Sequence, residues 1–285
     1  MNVKVMAPAK INLMLDITGK QNNGYHTLTT IMQSISLSDI ITITIIKNGI
    51  ITVQTNNTCI PSNEDNIAYT AAKKFIEYTN VQHNGINIHI QKNIPSEAGL
   101  GGGSADAAAV LVGLNYIYST NLSTKQLCDI GVTIGADVPF CIVGGTKLCH
   151  GIGEIIKNTS PLINCYIVIA KGNLGISTKE AFKKIDEIGF NNTLEFTEYD
   201  GSIKSIKKIG YNKFEVITEN SDIKFIKKTM MNIGAEYSAM SGSGSAVFGL
   251  FSDKSSAQKC IDILRKSGFF STLCYPISNG PTLII

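Results

Sequence analysis

No two of the seven cysteines in this 285-residue chain have CxxC spacing, and their number is odd. That argues against a disulfide framework or a cysteine-held zinc site. It makes Cys59, Cys128, Cys141, Cys149, Cys165, Cys260 and Cys274 buried thiols of a protein kept in a reducing cytoplasm. The four histidines are scattered, so no metal cluster is expected either. No apolar run approaches the ~20 residues a membrane span requires, and the stretch before Ala7-Pro8-Ala9 is too short for a signal peptide. An excess of one charge is also missing. The formal net charge is only +3, and pairs such as Lys183-Lys184, Lys207-Lys208 and Lys227-Lys228 read as solvated helix faces, so no nucleic-acid footprint is expected. Two familiar phosphate loops are absent by spelling. GxxxxGK followed by Ser or Thr occurs nowhere, and GxGxxG fails at Gly99 because Ser104 stands where its last glycine belongs.

What is present is the composition of a soluble globular protein, 44% hydrophobic and 16% charged, long enough for one large or two modest domains. Its most informative stretch runs Pro95-Ser96-Glu97-Ala98-Gly99-Leu100-Gly101-Gly102-Gly103-Ser104-Ala105. Upstream, Ile86, Ile88 and Ile90 alternate with polar residues, the pattern of a half-buried strand. Downstream, Ala105 to Leu114 reads as a helix with Ser104 as its N-cap. Glycines before a helix let the backbone approach a ligand with its amides free, and the helix dipole adds positive charge there. Strand, glycine loop and helix in that order make an anion site, most often for phosphate. A ligand-free flexible turn is the alternative.

The rest of the first half reads as strands and helices. Ile41, Ile43 and Ile45 are expected to pair with Ile51 to Thr55 in a hairpin across Lys47-Asn48-Gly49. Asn66 to Tyr78 is expected as a helix capped by Asp65, and a second helix opens at Ser123 and ends at Gly135. A soft boundary near Ser160-Pro161 divides the chain into residues 1–160 and 161–285. The second half repeats strand, helix and strand: Cys165 to Ala170, Glu180 to Ile188, Asp222 to Ile233, Ala246 to Phe251, Ser255 to Ser267 and Phe269 to Tyr275. Helices mixed with antiparallel hairpins predict an α+β fold rather than a doubly wound sheet.

Three further segments carry chemistry. Lys10 and Asn12 interrupt an apolar strand on one face and suit an anion or anionic transition state, or else a solvated edge strand. Asp137 is a lone carboxylate in Gly135-Ala136-Asp137-Val138-Pro139-Phe140, either used in chemistry or capping the next short helix, two compatible roles. Met240 to Phe248 holds a second glycine loop, Gly242-Ser243-Gly244, which either grips a phosphate-rich ligand from the other side or makes a tight hairpin turn.

Taken in order, Pro8-Ala9-Lys10-Ile11-Asn12-Leu13, the Gly99 to Ala105 run and Gly242 to Phe248 resemble the three-motif signature of the GHMP kinase superfamily (galactokinase, homoserine kinase and mevalonate kinase relatives) across nearly the whole chain. The resemblance implies an ATP-dependent small-molecule kinase with an N-terminal domain like ribosomal protein S5 domain 2 and a ferredoxin-like C-terminal domain. Asn23-Gly24-Tyr25-His26-Thr27-Leu28 resembles the branch that phosphorylates a cytidine-diphosphate-linked sugar alcohol, though Asn23 stands where that branch usually has aspartate. By carry-over, Pro95, Ser96, Glu97, Ala98, Gly99, Leu100, Gly101, Gly102, Gly103, Ser104 and Ala105 cradle the ATP phosphates. Asp137 takes the proton from the substrate hydroxyl, and Lys10 stabilises charge on the transferring phosphoryl group. Asn12 joins the substrate site. His26 hydrogen-bonds the cytosine edge while Tyr25 and Phe182, the latter after Ile176-Ser177-Thr178, stack on the ring; for Phe182 a plain core position on its helix is the alternative. Mg²⁺ accompanies the nucleotide, with Ser104 a candidate ligand and no dedicated protein metal site. A monomer or homodimer is expected. Another small-alcohol kinase of the homoserine or mevalonate type, and a catalytically dead binding relative, are the competing readings.

Overall fold

The computed structural model describes all residues except 59, 63, 83, 173, 174, 176, 191–198 and 285. Cys59 and Ile176 therefore lie outside the described residues. Two long antiparallel strands, β1 (Asn2–Lys20) and β2 (His26–Ile45), begin the chain. Then come β3 (Ile51–Thr55), α1 (Ile67–Thr79), β4 (Ile86–Gln91) and α2 (Gly102–Ile117). Next are α3 (Thr124–Val132), α4 (Val138–Val143), β5 (Thr146–His150) and β6 (Ile155–Asn158). The second half runs β7 (Tyr166–Lys171), α5 (Thr178–Ile188), α6 (Ile203–Ile209), a 3-10 turn at Lys213–Ile217 and α7 (Ser221–Ile233). It closes with β8 (Tyr237–Met240), β9 (Val247–Phe251), α8 (Lys254–Lys266), β10 (Phe270–Cys274) and β11 (Thr282–Ile284).

The strands form two sheets among the described residues, ordered β11-β1-β2-β4-β3 with β5 and β6 added beside β2, and β10-β7-β9-β8. The expected hairpin of residues 41–45 with 51–55 does not form. β4 lies against β2, with Ile41 opposite Ile90, and β3 pairs in parallel with the far side of β4, with Ile51 opposite Ile86. A parallel pair needs a crossover, and α1 supplies it. Alternation identified each strand and its buried face but not its neighbour.

Helix α2 lies under the first sheet, buried on nearly every side through Ala105, Ala107, Ala108, Ala109, Val110, Leu111 and Leu114. Its small residues let the sheet and α1 pack closely around it, the pattern of a helix enclosed in a core. Both faces of the second sheet are buried. Ile167 and Ile169 join the core of the first sheet, while Val168 and Ala170 face a second core with α7 and α8. This explains why that strand reads as a continuous apolar run.

Caps depart from expectation twice. Asn66, not Asp65, caps α1, accepting from the Ala68 amide at 2.9 Å. Ser104 lies inside the first turn of α2, whose N-cap is Gly101 at φ 68° with no side-chain cap. Ser123 does open α3, in a capping box with Gln126, but that helix ends at Val132, short of Gly135. Cys141, Cys149, Cys165, Cys260 and Cys274 are buried free thiols and Cys128 is half-buried. Among the described residues no helix is long and apolar enough to cross a membrane.

Candidate active site

A cleft of about 590 Å³ opens where the glycine loop meets β1, α4 and the β8–β9 hairpin. The loop turns at Gly99 (φ 72°) and Gly101 (φ 68°), conformations that favour glycine. Because no side chain caps α2, its first amides stay free at the positive end of the dipole, as an anion site requires. The second glycine loop buttresses the first. The Ser241 hydroxyl donates to the Gly99 carbonyl at 2.8 Å and the Ala246 amide to the Ala98 carbonyl at 3.0 Å. A Cβ on Gly99 would stand 2.0 Å from the Ser241 carbonyl oxygen, so no larger residue fits between the loops. Asn212 fixes the second loop from below, donating to the carbonyls of Met240 and Gly242 at 2.7 and 2.8 Å. The segment is thus a hairpin turn, and its Gly242 and Ser243 also line the cleft.

β1 is no edge strand: β11 and β2 flank it, and Lys10 and Asn12 are only 4% and 2% exposed. The Lys10 amide donates to the Leu100 carbonyl at 2.9 Å, tying strand to loop. Its ammonium donates to Asn12 Oδ1 at 2.8 Å and lies 3.2 Å from Asp137 Oδ2. Asn12 in turn donates to the Thr30 hydroxyl at 2.9 Å, and Thr30 to the Met14 carbonyl at 2.6 Å. This chain holds the lysine extended beneath the cleft. Asp137 occupies the N-cap position of α4, but its side chain caps nothing there; about one-third exposed, it lines the cleft with Lys10. Behind it, burial and then the Asp137 charge push the Cys149 thiol up to about 12, which leaves it inert.

A buried triad was not foreseen. Lys92 donates to Asp39 Oδ2 at 2.5 Å and to Asp106 Oδ2 at 2.7 Å, while Asp39 Oδ1 accepts from the amides of Asn93 and Ile94 at 2.5 and 2.9 Å. It ties both ends of the glycine loop to β2. Burial pushes the Asp106 carboxyl well above the ordinary carboxylate value; Lys92 opposes the rise and Asp39 adds to it. Burial works against the Lys92 charge, yet the two carboxylates outweigh it and hold the ammonium above the ordinary lysine value.

Of the residues singled out from sequence, the structure brings Lys10, Asp137, Phe182 and the run from Pro95 to Ser104 to the cleft wall. Asn12 and Ala105 stand buried behind it. Tyr25 is exposed, and His26 is half-buried outside the cleft wall. The His26 ring lies on Phe182, centroids 4.4 Å apart and planes 17° apart, and Phe214 meets Phe182 edge-on at 5.0 Å. Phe182 therefore both packs in the second core and faces the cleft. Two apolar groups of the wall were missed. Ile60, Pro61 and Ile67 line the cleft, as do Leu28 and Ile152. They come from segments distant in sequence, and apart from Leu28, which closes the Asn23–Leu28 run, none belongs to a motif.

A family model described as the GHMP kinases N terminal domain matches residues 66–145, and one described as GHMP kinases C terminal matches residues 195–269. A curated relative from Clostridium tetani named 4-diphosphocytidyl-2-C-methyl-D-erythritol kinase is 46% identical over 90% of this chain and 94% of its own. One of the same name from Caldicellulosiruptor bescii is 45% identical over 95% of this chain and 98% of its own. A crystal structure of 4-(cytidine 5'-diphospho)-2C-methyl-D-erythritol kinase superposes with a TM-score of 0.77 at 28% identity, covering 96% of this chain and 99% of that one. A homoserine kinase from Cytophaga hutchinsonii shares the fold, with a TM-score of 0.76 at 20% identity, covering 99% of this chain and 97% of its own. The α+β expectation holds in this two-sheet fold. The chain belongs to the GHMP kinases and, within them, to the 4-diphosphocytidyl-2-C-methyl-D-erythritol kinase family.

Proposed function

We propose that the protein transfers the γ-phosphate of ATP to the 2-hydroxyl of 4-diphosphocytidyl-2-C-methyl-D-erythritol, giving the 2-phosphate and ADP, in the non-mevalonate route to isoprenoid precursors. The observation that carries this reading is the Lys10–Asp137 pair, 3.2 Å apart, beside an uncapped helix N-terminus in one cleft. Asp137 accepts the proton of the attacking hydroxyl. Lys10, held by Asn12 and the Leu100 carbonyl, presents its charge where negative charge develops on the transferring group. The free amides of α2 and its dipole hold the donor phosphates. The apolar surfaces of Ile60, Pro61 and Ile67 suit the flat base of the donor. Phe182, Phe214 and Leu28 offer the other end to the cytidylyl acceptor.

Mg²⁺ accompanies the nucleotide in this reading and supplies charge neutralisation on the phosphates. The Ser104 hydroxyl, on the cleft wall beside the loop, is the hard donor that would hold it. Such an ion takes most of its ligands from phosphate and water. We assign the protein to the cytoplasm, where its free thiols stay reduced.

The test is ADP release by the pure protein with Mg-ATP and a panel of acceptors: the diphosphocytidyl methylerythritol, homoserine, mevalonate and galactose. Turnover with the first alone is expected. Faster turnover with any other acceptor would overturn the assignment.

A further inference from the structure

The tip of the β1–β2 hairpin reaches helix α5 through a single carboxylate. Lys20 and His26, paired across the two strands, both turn to Asp186. The Lys20 ammonium donates to Oδ2 at 2.6 Å, and His26 Nε2 lies 2.7 Å from Oδ1. One turn earlier on the same helix, Phe182 carries the His26 ring on its face. The imidazole is thus held both in its plane, by the carboxylate, and across its face, by the phenyl ring; its side chain is only 8% exposed. Its Nδ1 has no partner among the described residues.

An ionised carboxylate can only accept hydrogen bonds, so the proton of the neutral imidazole must sit on Nε2. Asp186 stays ionised because the hydrogen bonds from Lys20 and His26 hold its carboxyl below the usual carboxylate value. Nδ1 is then left as a lone-pair acceptor, fixed in direction, on a ring stacked against Phe182 of the cleft wall. The exocyclic amine of a cytosine offers a donor to such an atom. The carbonyl that uracil carries at the same place offers a second acceptor and leaves both unsatisfied.

We propose that Asp186 is a positioning residue that sets the base specificity of the acceptor. By fixing the tautomer and plane of His26, it makes the site select a cytidine diphosphate conjugate over its uridine counterpart. The proposal rests on the cytidylyl-acceptor reading above. Asp186 touches neither substrate; it acts through the imidazole, as carboxylates do behind histidines at metal sites.

The experiment compares kcat/KM for the cytidylyl acceptor and its uridylyl analogue at about pH 8, where imidazole is ordinarily neutral. The wild type, Asp186→Asn and Asp186→Ala are assayed, with Lys20→Met as a variant that keeps the carboxylate. A lost or mismatched polar contact is worth about ten- to a hundredfold in selectivity. The wild type and Lys20→Met should keep that preference for cytidine, and both Asp186 variants should lose it, with the KM for ATP unchanged. Nitrogen NMR of the histidines supplies a readout independent of turnover: the wild-type His26 should carry its proton on Nε2, and the Asp186 variants should not hold that single tautomer. An Nδ1-protonated His26 in the wild type, or undiminished cytidine preference in both Asp186 variants, overturns the proposal. A wild type that turns over neither nucleotide form overturns the acceptor reading instead, and this inference with it.

Discussion

Asp106 is the residue whose chemistry is most at odds with its place. It sits in the second turn of a buried helix, 3% exposed, with one oxygen on Lys92 and the other without a hydrogen-bond partner. Its folded-state value lies above that of an unfolded aspartate, about 3.9. The stability that its proton brings is therefore fully present below that value and lost as pH rises through the higher folded one. Asp106→Asn cannot ionise. As pH rises above the ordinary carboxylate range, its melting temperature should therefore fall less than that of the wild type. Calorimetry across that rise checks this, and parallel curves would contradict it. At this scale, legibility followed incongruity. Lys10, Asn12 and Asp137 stood out because each is polar amid apolar neighbours. Asp39 did not, because what makes it matter is Lys92, a residue 53 positions away that no local pattern connects to it.

Among the elements, α2 and its loop carry the donor site. Its helical run was readable from its alanines, but its start was not. Ser104 is the better cap by propensity, yet the helix begins earlier so that its amides remain free, and Gly101 supplies the left-handed turn. The loop glycines differ in what they tolerate. A Cβ at Gly99 would strike the Ser241 carbonyl at 2.0 Å, whereas at Gly103 the nearest atom beyond its own helix is Ile67 Cγ2 at 3.4 Å, an ordinary contact. Gly103→Ala should therefore fold at least as well as the wild type, because alanine is favoured over glycine in a helix by about 1 kcal/mol. It should nonetheless weaken ATP binding about tenfold, since the methyl group meets a phosphate lying on the helix N-terminus. Titration calorimetry beside a melting curve separates the two effects. Unchanged ATP affinity would reduce the loop to a turn.

At the scale of the whole molecule, the chain closes on itself. β11 returns to pair with β1, Lys4 opposite Ile284, on the strand that carries Lys10. Just before it, the Ile277 amide donates to the Ser34 carbonyl and Gln33 Nε2 to the Ile277 carbonyl, each at 3.0 Å. Gly280 passes so close to α4 that a Cβ would lie 2.3 Å from the Ile142 carbonyl. The segment thus braces both the lysine's strand and the aspartate's helix. Removing residues 277–285 should lower the melting temperature by about 5 °C or more, the effect of a few kcal/mol in a chain of this size. Turnover should fall more than ATP affinity. A truncated protein with wild-type melting and turnover would contradict this. Such long-range closure was invisible in the sequence, as was the insertion of β4 between β2 and β3. Both depend on partners chosen across the fold, while local alternation specifies only a strand and its faces.

The central claim is that one cleft combines a phosphate-binding helix terminus with a lysine-anchored base. It is tested most directly by the turnover of Asp137→Asn alongside its ATP affinity. The substitution keeps the size of the side chain and removes its capacity to accept the proton. The account predicts a kcat lower by ~10²–10⁴-fold with ATP affinity within about twofold of the wild type. Near-wild-type turnover would contradict it.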